Sequence, residues 1–227
     1  MEFDLTKARD GILLVDKPAG WTSFDVVAKI RAQIRAEYRA RDEKPTKRQL
    51  KVGHAGTLDP FATGLLVILL GDATKKAGEF LKLDKMYEAT FRLGQTSTTG
   101  DPEGGVTNVS DKVPTREEVE AVLQHFTGEI TQTPPAYSAI KINGQRAYKL
   151  AREGKEVEVP ERIVRIYSIE LIDYTYPNLK IRAHVGSGTY IRTLGEDIGV
   201  QLGTGAYCSE LRRIRIASWG VAQAVEH

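Results

Sequence analysis

A single carboxylate stands in a glycine-rich loop in the first third of the chain. Residues 51–64 read Lys-Val-Gly-His-Ala-Gly-Thr-Leu-Asp-Pro-Phe-Ala-Thr-Gly, with Asp59 in the loop. The apolar run at residues 65–70 follows directly and is typical of a buried element. A tight loop on a rigid element can present a reacting side chain, and a carboxylate there can act as a nucleophile or as a base. The loop alone leaves a second interpretation open, because Asp-Pro pairs also begin ordinary turns.

Several familiar catalytic signatures are absent from the sequence. It contains no GxxxxGK[ST], no GxGxxG, no GxSxG and no pair of histidines at metal-ligand spacing. His54 shares the loop with Asp59, but nothing pairs it with a nucleophilic serine or cysteine. The single cysteine, Cys208, excludes an internal disulfide framework and any multi-cysteine zinc site.

Composition and charge limit the classes of protein to which this chain can belong. The chain has 227 residues, 27% charged and 41% hydrophobic, which indicates a globular domain. No signal peptide is visible and no apolar run is long enough to span a bilayer, so we expect a cytoplasmic protein with no membrane partner. The net charge is only +2. However, the basic residues concentrate at 29–51, 141–155 and 212–215, a pattern expected of a phosphate-backbone binder, although each cluster alone also fits a solvated helix face.

The elements that must position these residues follow from apolar periodicity and capping signals. Strands and helices mix without strict βαβ alternation, which predicts an α+β fold with a mostly antiparallel sheet. Residues 129–160 have little apolar material and predict an insertion with a hairpin turn at 143–144 and a small basic helix at 145–153. The other predicted elements are strands at 11–15, 87–93, 164–172, 179–185 and 211–216, helices starting near Thr22 or Ser23, at 74, at Thr115 and before Ile191, an exposed segment at 36–50 and a long loop at 95–105.

Motifs spread along nearly the whole chain occur in the order found in one known family. Together they resemble the TruB-type tRNA pseudouridine synthases. The matching segments are Gly-His-Ala-Gly-Thr-Leu-Asp-Pro-Phe-Ala-Thr-Gly at 53–64, Lys-Met-Tyr-Glu-Ala at 85–89, Leu-Gly at 93–94, Asp-Pro-Glu-Gly at 101–104, Pro-Pro-Ala-Tyr-Ser-Ala at 134–139, Gly-Thr-Tyr-Ile-Arg-Thr-Leu at 188–194 and Leu-Arg-Arg at 211–213, together with 11–21 and 133–150.

The resemblance implies a reaction and a fold. The family isomerises the T-loop uridine of tRNA without a cofactor or a metal. It has a pseudouridine-synthase fold, with a mixed, mostly antiparallel central sheet flanked by helices. By resemblance Asp59 is the essential carboxylate. Whether it attacks C1′, adds to C6 of the base or removes the C2′ proton stays open. The uridine must be flipped out of its folded loop, at a cost of a few kcal/mol.

The resemblance also assigns roles to other side chains. Arg192 would pair with Asp59, since a carboxylate needs a partner to stay ionised when buried. Without the resemblance, Arg192 fits a solvated residue in the first turn of a helix. Tyr87 would stack on the target base, although a strand tyrosine also fits a core position. The remaining assignments are His54, which would help to hold the flipped base, Tyr190 and Leu211 as pocket walls, and Lys141, Arg146 and Lys149 on a thumb at 129–160 that grips the RNA.

Two departures from the family pattern stand out. Bacterial members commonly continue into a C-terminal RNA-binding domain of the PUA type, whereas we expect here a single catalytic domain at 1–227 without one. Residues 36–50 are an added basic segment, a candidate for extra RNA contact. We expect a monomer that binds the T-arm of tRNA. An inactive tRNA-binding or chaperone module of the same fold is the alternative. A hydrolase would need a second placed acid, which no motif supplies.

Overall fold

The computed structural model describes residues 2–135, 137–138, 141–142, 145–146 and 159–226. The chain divides into two compact units, residues 1–86 with 212–227 and residues 87–211. The strands are β1 Ile12–Lys17, β2 Val52–His54, β3 Thr63–Leu70, β4 Lys85–Leu93, β5 Gln95–Ser97, β6 Val106–Asn108, β7 Gly128–Gln132, β8 Lys141–Ile142, β9 Gln145–Arg146, β10 Arg162–Thr175, β11 Asn178–Val185, β12 Ala206–Ile216 and β13 Trp219–Gly220. The α-helices are α1 Ser23–Ala40, α2 Ala77–Leu81, α3 Arg116–His125 and α4 Ile191–Leu202.

Helix α1 begins at a capping box in the first unit. The Thr22 side chain accepts a hydrogen bond from the Asp25 N–H, and the Asp25 carboxylate accepts the Thr22 N–H. This arrangement satisfies two backbone donors that the first turn leaves without helical partners. The buried positions form one face of the helix and are Ser23, Val26, Val27, Ile30 and Ile34. The helix ends at Ala40, and the following segment is exposed, as predicted for this part of residues 36–50.

Strand β3 is the centre of the sheet in the first unit. It pairs antiparallel with β1 and β2 and parallel with the end of β12, where Arg212 and Arg213 lie opposite Thr63 and Gly64. The sheet is therefore mixed. Both faces of β3 are buried, which explains its continuous apolar sequence. One face packs in a core cluster that contains Leu65, Val67, Leu69, Phe80 and Ile216.

The second unit contains the strand order β4-β11-β10-β7. Alternate residues of β4 are buried, as its sequence pattern predicts. Helix α3 begins after Thr115, as predicted, with a capping box between Thr115 and Glu118. Helix α4 ends before Gly203, which adopts a left-handed conformation. The long loop predicted at 95–105 is partly wrong, because β5 pairs with β6. The last strand begins at Ala206 and not at 211, since its first buried residues, Ala206 and Cys208, are too small to give a strong apolar signal.

The predicted insertion at 129–160 is only partly described. Its first residues belong to β7, which pairs antiparallel with β10. Strands β8 and β9 pair with Ile142 opposite Gln145, the register of a hairpin with a two-residue turn. The predicted basic helix is wrong for Gln145–Arg146, and the rest of it lies outside the described residues. In the described part of the chain, no helix combines the length and apolar composition needed to cross a membrane.

Candidate active site

The Asp59 loop joins two neighbouring antiparallel strands of the first unit. It connects β2 to β3, and His54 at the end of β2 lies opposite Ile68. The carbonyl of Asp59 accepts a hydrogen bond from the Ala62 N–H at 3.1 Å, which closes a turn with Pro60 in its second position. Asp59 is half-buried. Both interpretations of the Asp-Pro pair are therefore compatible, because the turn is part of the loop that carries the carboxylate.

The buried side chain of Arg213 contacts the chain on both sides of Asp59. Arg213 on β12 is 1% exposed, and its guanidinium meets backbone carbonyls. Its Nε donates to the Leu65 carbonyl at 2.7 Å, its Nη2 to the Gly56 carbonyl at 3.1 Å, and its Nη1 to the Thr57 carbonyl at 3.5 Å. The planar guanidinium suits several acceptors at once. Arg213 therefore fixes the chain just before and just after the turn that contains Asp59.

A buried lysine and a serine fix the middle of the same loop. Lys17 is fully buried, and its Nζ donates to the carbonyls of Pro18 at 2.8 Å, Trp21 at 2.6 Å and Pro60 at 3.2 Å. The hydroxyl of Ser23 accepts the N–H of Leu58 at 2.8 Å and donates to its carbonyl at 3.2 Å. The residues on either side of Asp59 are thus both held through their backbone.

The close packing of this loop requires glycine at one position. Gly64 has φ of +102°, and a Cβ there would lie 2.3 Å from the Arg213 carbonyl oxygen. A side chain would strain the backbone and displace β12. Arg213 and β3 therefore approach each other closely because residue 64 has no side chain.

The third basic cluster predicted from the sequence, at 212–215, is not a free cationic surface. Arg213 is buried against carbonyls. Arg212 forms a two-point ion pair with Asp16, with N–O distances of 3.0 and 2.5 Å, and also donates to the Thr63 hydroxyl at 3.3 Å. These contacts join β12 to β1 and to the start of β3. Burial makes Arg213 unavailable to an RNA-facing surface, whereas the contribution of the half-exposed Arg212 and Arg215 to such a surface stays a prediction.

A third buried cation, Lys85, lies near Arg213. Lys85 is 8% exposed, and its Nζ donates to the carbonyls of Leu81 at 3.2 Å and Leu83 at 2.6 Å. The pKa of the Lys85 ammonium is lowered to about 8, mainly by burial and also by the nearby Arg213 charge, whereas Asp84 acts to raise it. The first unit thus contains several buried cations whose described acceptors are mainly backbone carbonyls.

In the second unit, Arg192 forms a buried ion pair with Asp101. Both residues are 3% exposed. The Nη1 of Arg192 donates to Asp101 Oδ2 at 2.9 Å and to the Thr99 carbonyl at 2.8 Å, and its Nη2 donates to the Tyr137 carbonyl at 2.8 Å. The interpretation of Arg192 as a solvated helix residue is therefore wrong. Its pairing with Asp59 stays a prediction.

Asp101 is itself held by other groups, and a second carboxyl, that of Glu196, lies close by. Its Oδ1 accepts the Thr99 hydroxyl at 2.6 Å and the Glu103 N–H at 3.0 Å. Glu196 follows Arg192 by one helical turn, and a Cβ at Gly100 would lie 2.7 Å from its Oε1. Burial raises the pKa of the Glu196 carboxyl to about 7. Arg192 lowers this pKa, whereas Asp197 and Asp101 raise it.

Tyr190 immediately precedes α4 and is fixed by a side-chain amide. Gln132, 1% exposed, accepts the Tyr190 N–H at 3.0 Å and donates to the Tyr190 carbonyl at 3.1 Å. The guanidinium of Arg162 lies over the Tyr190 ring, 4.8 Å from its centroid. These contacts set the direction in which α4 begins and, with it, the position of Arg192.

The other predicted site residues lie on strands. Tyr87 on β4 and Leu211 on β12 are each 8% exposed, so burial alone also fits a packing role for Tyr87. His54 ends β2 and is half-buried. In the predicted thumb, Lys141 lies opposite Arg146 in the β8–β9 pair, and Lys149 lies outside the described residues.

Sequence reasoning gave no positioning role to Lys17, Arg213, Asp101 or Glu196. For the two cations a signal was available, because Lys17 is in phase with the buried residues Leu13 and Val15 of β1. Arg213 is likewise in phase with Leu211 on β12. A charged residue at a buried strand position needs partners. Asp101 lay in a recognised motif, but without an assigned partner. Across the described ranges, no group of three or more His, Cys, Asp or Glu residues could hold a metal ion.

Comparison with known proteins identifies the family. Residues 44–191 match the family model for TruB family pseudouridylate synthase, N-terminal domain. This chain therefore belongs to the TruB family of pseudouridylate synthases, and its α+β architecture is the pseudouridine-synthase fold predicted from the sequence.

Individual relatives support the assignment. The tRNA pseudouridine synthase B of Pseudomonas fluorescens is 45% identical over 215 residues, which cover 95% of this chain and 66% of that protein. The protein of the same name from a Mycobacterium species, strain KMS, is 45% identical over 219 residues, covering 94% and 69%. A chain in the crystal structure of a Cbf5-Nop10-Gar1 complex superposes with a TM-score of 0.66 at 32% identity, covering 91% of this chain and 48% of that one. This chain spans about two thirds of the length of the curated relatives.

Proposed function

We propose that this protein isomerises a uridine in the T-arm of tRNA to pseudouridine. Membership of the TruB family supports this, as do relatives named tRNA pseudouridine synthase B. The observation that carries the proposal is the Asp59 loop, which three buried side chains, Arg213, Lys17 and Ser23, hold through its backbone. A carboxylate on a fixed loop is preorganised for attack on a bound base or sugar.

The chemistry requires one placed carboxylate and no net redox change. The N1–C1′ bond of the uridine breaks, the free uracil rotates, and a C5–C1′ bond forms. The hydrogen on C5 leaves as a proton, and N1 gains a proton. Asp59 would act as the nucleophile or as the base in this sequence, with no cofactor. The uridine would first be flipped out of its loop.

The remaining residues would bind the substrate. Tyr87 would stack on the flipped base, Tyr190 and Leu211 would form apolar walls, and His54 would help to hold the flipped nucleotide. Arg192 would pair with the Asp59 carboxylate. Asp101 supports this role, because a buried guanidinium held by its own ion pair cannot rotate freely.

The thumb residues Lys141, Arg146 and Lys149 would contact phosphates, and the protein would work as a cytoplasmic monomer.

The proposal is tested by tritium release from tRNA transcript labelled at C5 of uridine. We expect release with the wild-type protein, and Asp59→Asn should reduce its rate by at least about 10²-fold. Asp111→Asn is a matched control, because Asp111 is exposed and should keep full activity. Binding of tRNA without any release would favour the inactive-module alternative. Full activity of Asp59→Asn would exclude Asp59 as the essential carboxylate.

A further inference from the structure

Positive charge is concentrated in one segment of the first unit. Residues 31–51 contain eight Lys or Arg residues and three acidic residues, a net charge of +5, although the whole chain carries only +2. The rest of the chain is therefore net negative. A local excess of this size creates a strong field at the surface and attracts a polyanion.

Three of the eight cations in this segment already contact other groups of the protein. Arg48 forms an ion pair with Asp72. Arg31 donates to the Val52 carbonyl at 2.5 Å, and the Arg41 guanidinium lies over the Tyr38 ring, 5.6 Å from its centroid. The other five are exposed and form no ion pair within the described part of the chain: Arg35, Arg39, Lys44, Lys47 and Lys51.

Three of these five cations line one groove, which we call the basic groove. It has a volume of about 410 Å³ and is formed by Arg35, Arg39, Asp42, Glu43, Lys44, Pro45 and Leu50. Arg35 and Arg39 are one helical turn apart on α1, and Lys44 faces them from the following segment. Like charges at this spacing destabilise a helix in the absence of a partner. Asp42 and Glu43 line the same groove and offset part of this repulsion, and a bound anion would offset more of it.

The walls of the basic groove are fixed by short-range hydrogen bonds. The Glu43 N–H donates to the Tyr38 carbonyl at 2.9 Å, and the Thr46 N–H and hydroxyl both donate to the Gln49 side chain. The Gly71 N–H donates to the Lys51 carbonyl at 2.7 Å, which joins the end of the segment to the end of β3. The cations are thus presented on an ordered scaffold, which lowers the entropy cost of binding.

We propose that the basic groove binds the sugar–phosphate backbone of the RNA substrate, as a contact separate from the Asp59 loop. This inference rests on the proposed function for the identity of the RNA. Exposed guanidinium and ammonium groups without carboxylate partners match phosphate oxygens. Of the seven side chains that line the groove, only Pro45 and Leu50 are apolar, which is too few for the apolar face that a membrane-binding segment needs. The segment ends at Lys51, next to β2, so an RNA strand held here would engage the unit that carries Asp59.

The test compares two triple variants of the full chain. The groove variant is Arg35→Gln with Arg39→Gln and Lys44→Gln. The control variant is Lys7→Gln with Lys76→Gln and Lys82→Gln, which removes the same charge from exposed lysines outside residues 31–51. Filter binding of unmodified tRNA transcript is measured from about 50 to 200 mM salt. Tritium release at saturating protein is measured in parallel.

We expect the groove variant to bind tRNA roughly 10- to 100-fold more weakly near 0.15 M salt, with a salt slope shallower by about 2–3. The control should lose less than about one unit of slope. Saturating tritium release should be unchanged in both variants. Equal affinities and slopes for the two variants would overturn the inference even if the wild type is active. Groove-dependent binding without tritium release would refute the proposed function alone. Binding to anionic lipid vesicles is measured for the same proteins. If the groove variant lost vesicle binding and kept wild-type RNA binding, the groove would be assigned to a membrane and the inference would be overturned.

Discussion

Replacing Arg213 by lysine tests whether the hydrogen bonds of the guanidinium, and not only its buried charge, hold the Asp59 loop in place. Lysine keeps the positive charge but cannot span the carbonyls of Leu65 and Gly56, which the guanidinium contacts at 2.7 and 3.1 Å. One of these hydrogen bonds would be lost, together with the weaker contact to Thr57. Hydrogen bonds to charged groups contribute about 1.5–3 kcal/mol, so the free energy of unfolding should fall by roughly 2–4 kcal/mol.

The expected effect on activity exceeds what lost stability alone would cause. A shift of the loop by about 1 Å can cost roughly 10²-fold in rate. We expect Arg213→Lys to lower kcat in the tritium assay by this order, with KM for tRNA nearly unchanged. For a chain of this size, the Tm should drop by about 4–16 °C, so the assay must be run well below the variant's Tm.

Arg215→Lys, two residues further along β12, is the matched control and should leave kcat unchanged. Wild-type kcat in a folded Arg213→Lys protein would refute the bracing argument. An equal loss of kcat in Arg215→Lys would also refute it, because the effect would then belong to the strand and not to the loop contacts. The milder variant Ser23→Ala removes the side-chain contacts to Leu58 and keeps the test open if Arg213→Lys does not fold.

Two further predictions concern the second unit. Asp101→Asn leaves the buried Arg192 charge without its carboxylate and should lower the free energy of unfolding by about 3–5 kcal/mol in urea titrations, whereas an unchanged midpoint would contradict the buried pair. The folded pKa of Glu196, about 7, is above its ordinary value of 4.5, so its contribution to stability is fully present below pH 4.5 and is lost as the pH rises through 7. Glu196→Gln should therefore become more stable relative to the wild type as the pH rises from about 5 to about 7.5. Parallel stability curves for the two proteins over this range would contradict the assignment.

Local signals predicted the local structure well. The capping boxes at Thr22 and Thr115 each determine a helix start, because donor and acceptor lie within three residues. The alternation in β4 and the continuous apolar run in β3 likewise need no distant partner to be recognised. The short β5–β6 pair was not predicted, because its residues are polar and its partner lies across an intervening loop.

The environment of the site depends on contacts that no local pattern contains. Arg213 reaches Gly56 across 157 positions of sequence, and Arg192 reaches Asp101 across 91. The motif resemblance identified Asp59 and Arg192 as functional candidates. It did not distinguish an arginine that faces RNA from one that holds the backbone, because both are simply basic residues in the sequence. Burial, which depends on tertiary packing, makes that distinction.

The bracing of the Asp59 loop acts on main-chain carbonyls and not on side chains. Its acceptors are the carbonyls of Gly56, Thr57, Leu58 and Pro60, and the strand pairing of His54 with Ile68 fixes one end. Any residue type offers the same carbonyl, so drift in the exposed Thr57 side chain leaves the contacts intact. A single insertion or deletion between Gly56 and Pro60 would shift some of these carbonyls out of register with their donors on Arg213, Ser23 and Lys17. Over evolutionary time, the number of residues in this loop should therefore be constrained more tightly than the identities of its exposed side chains.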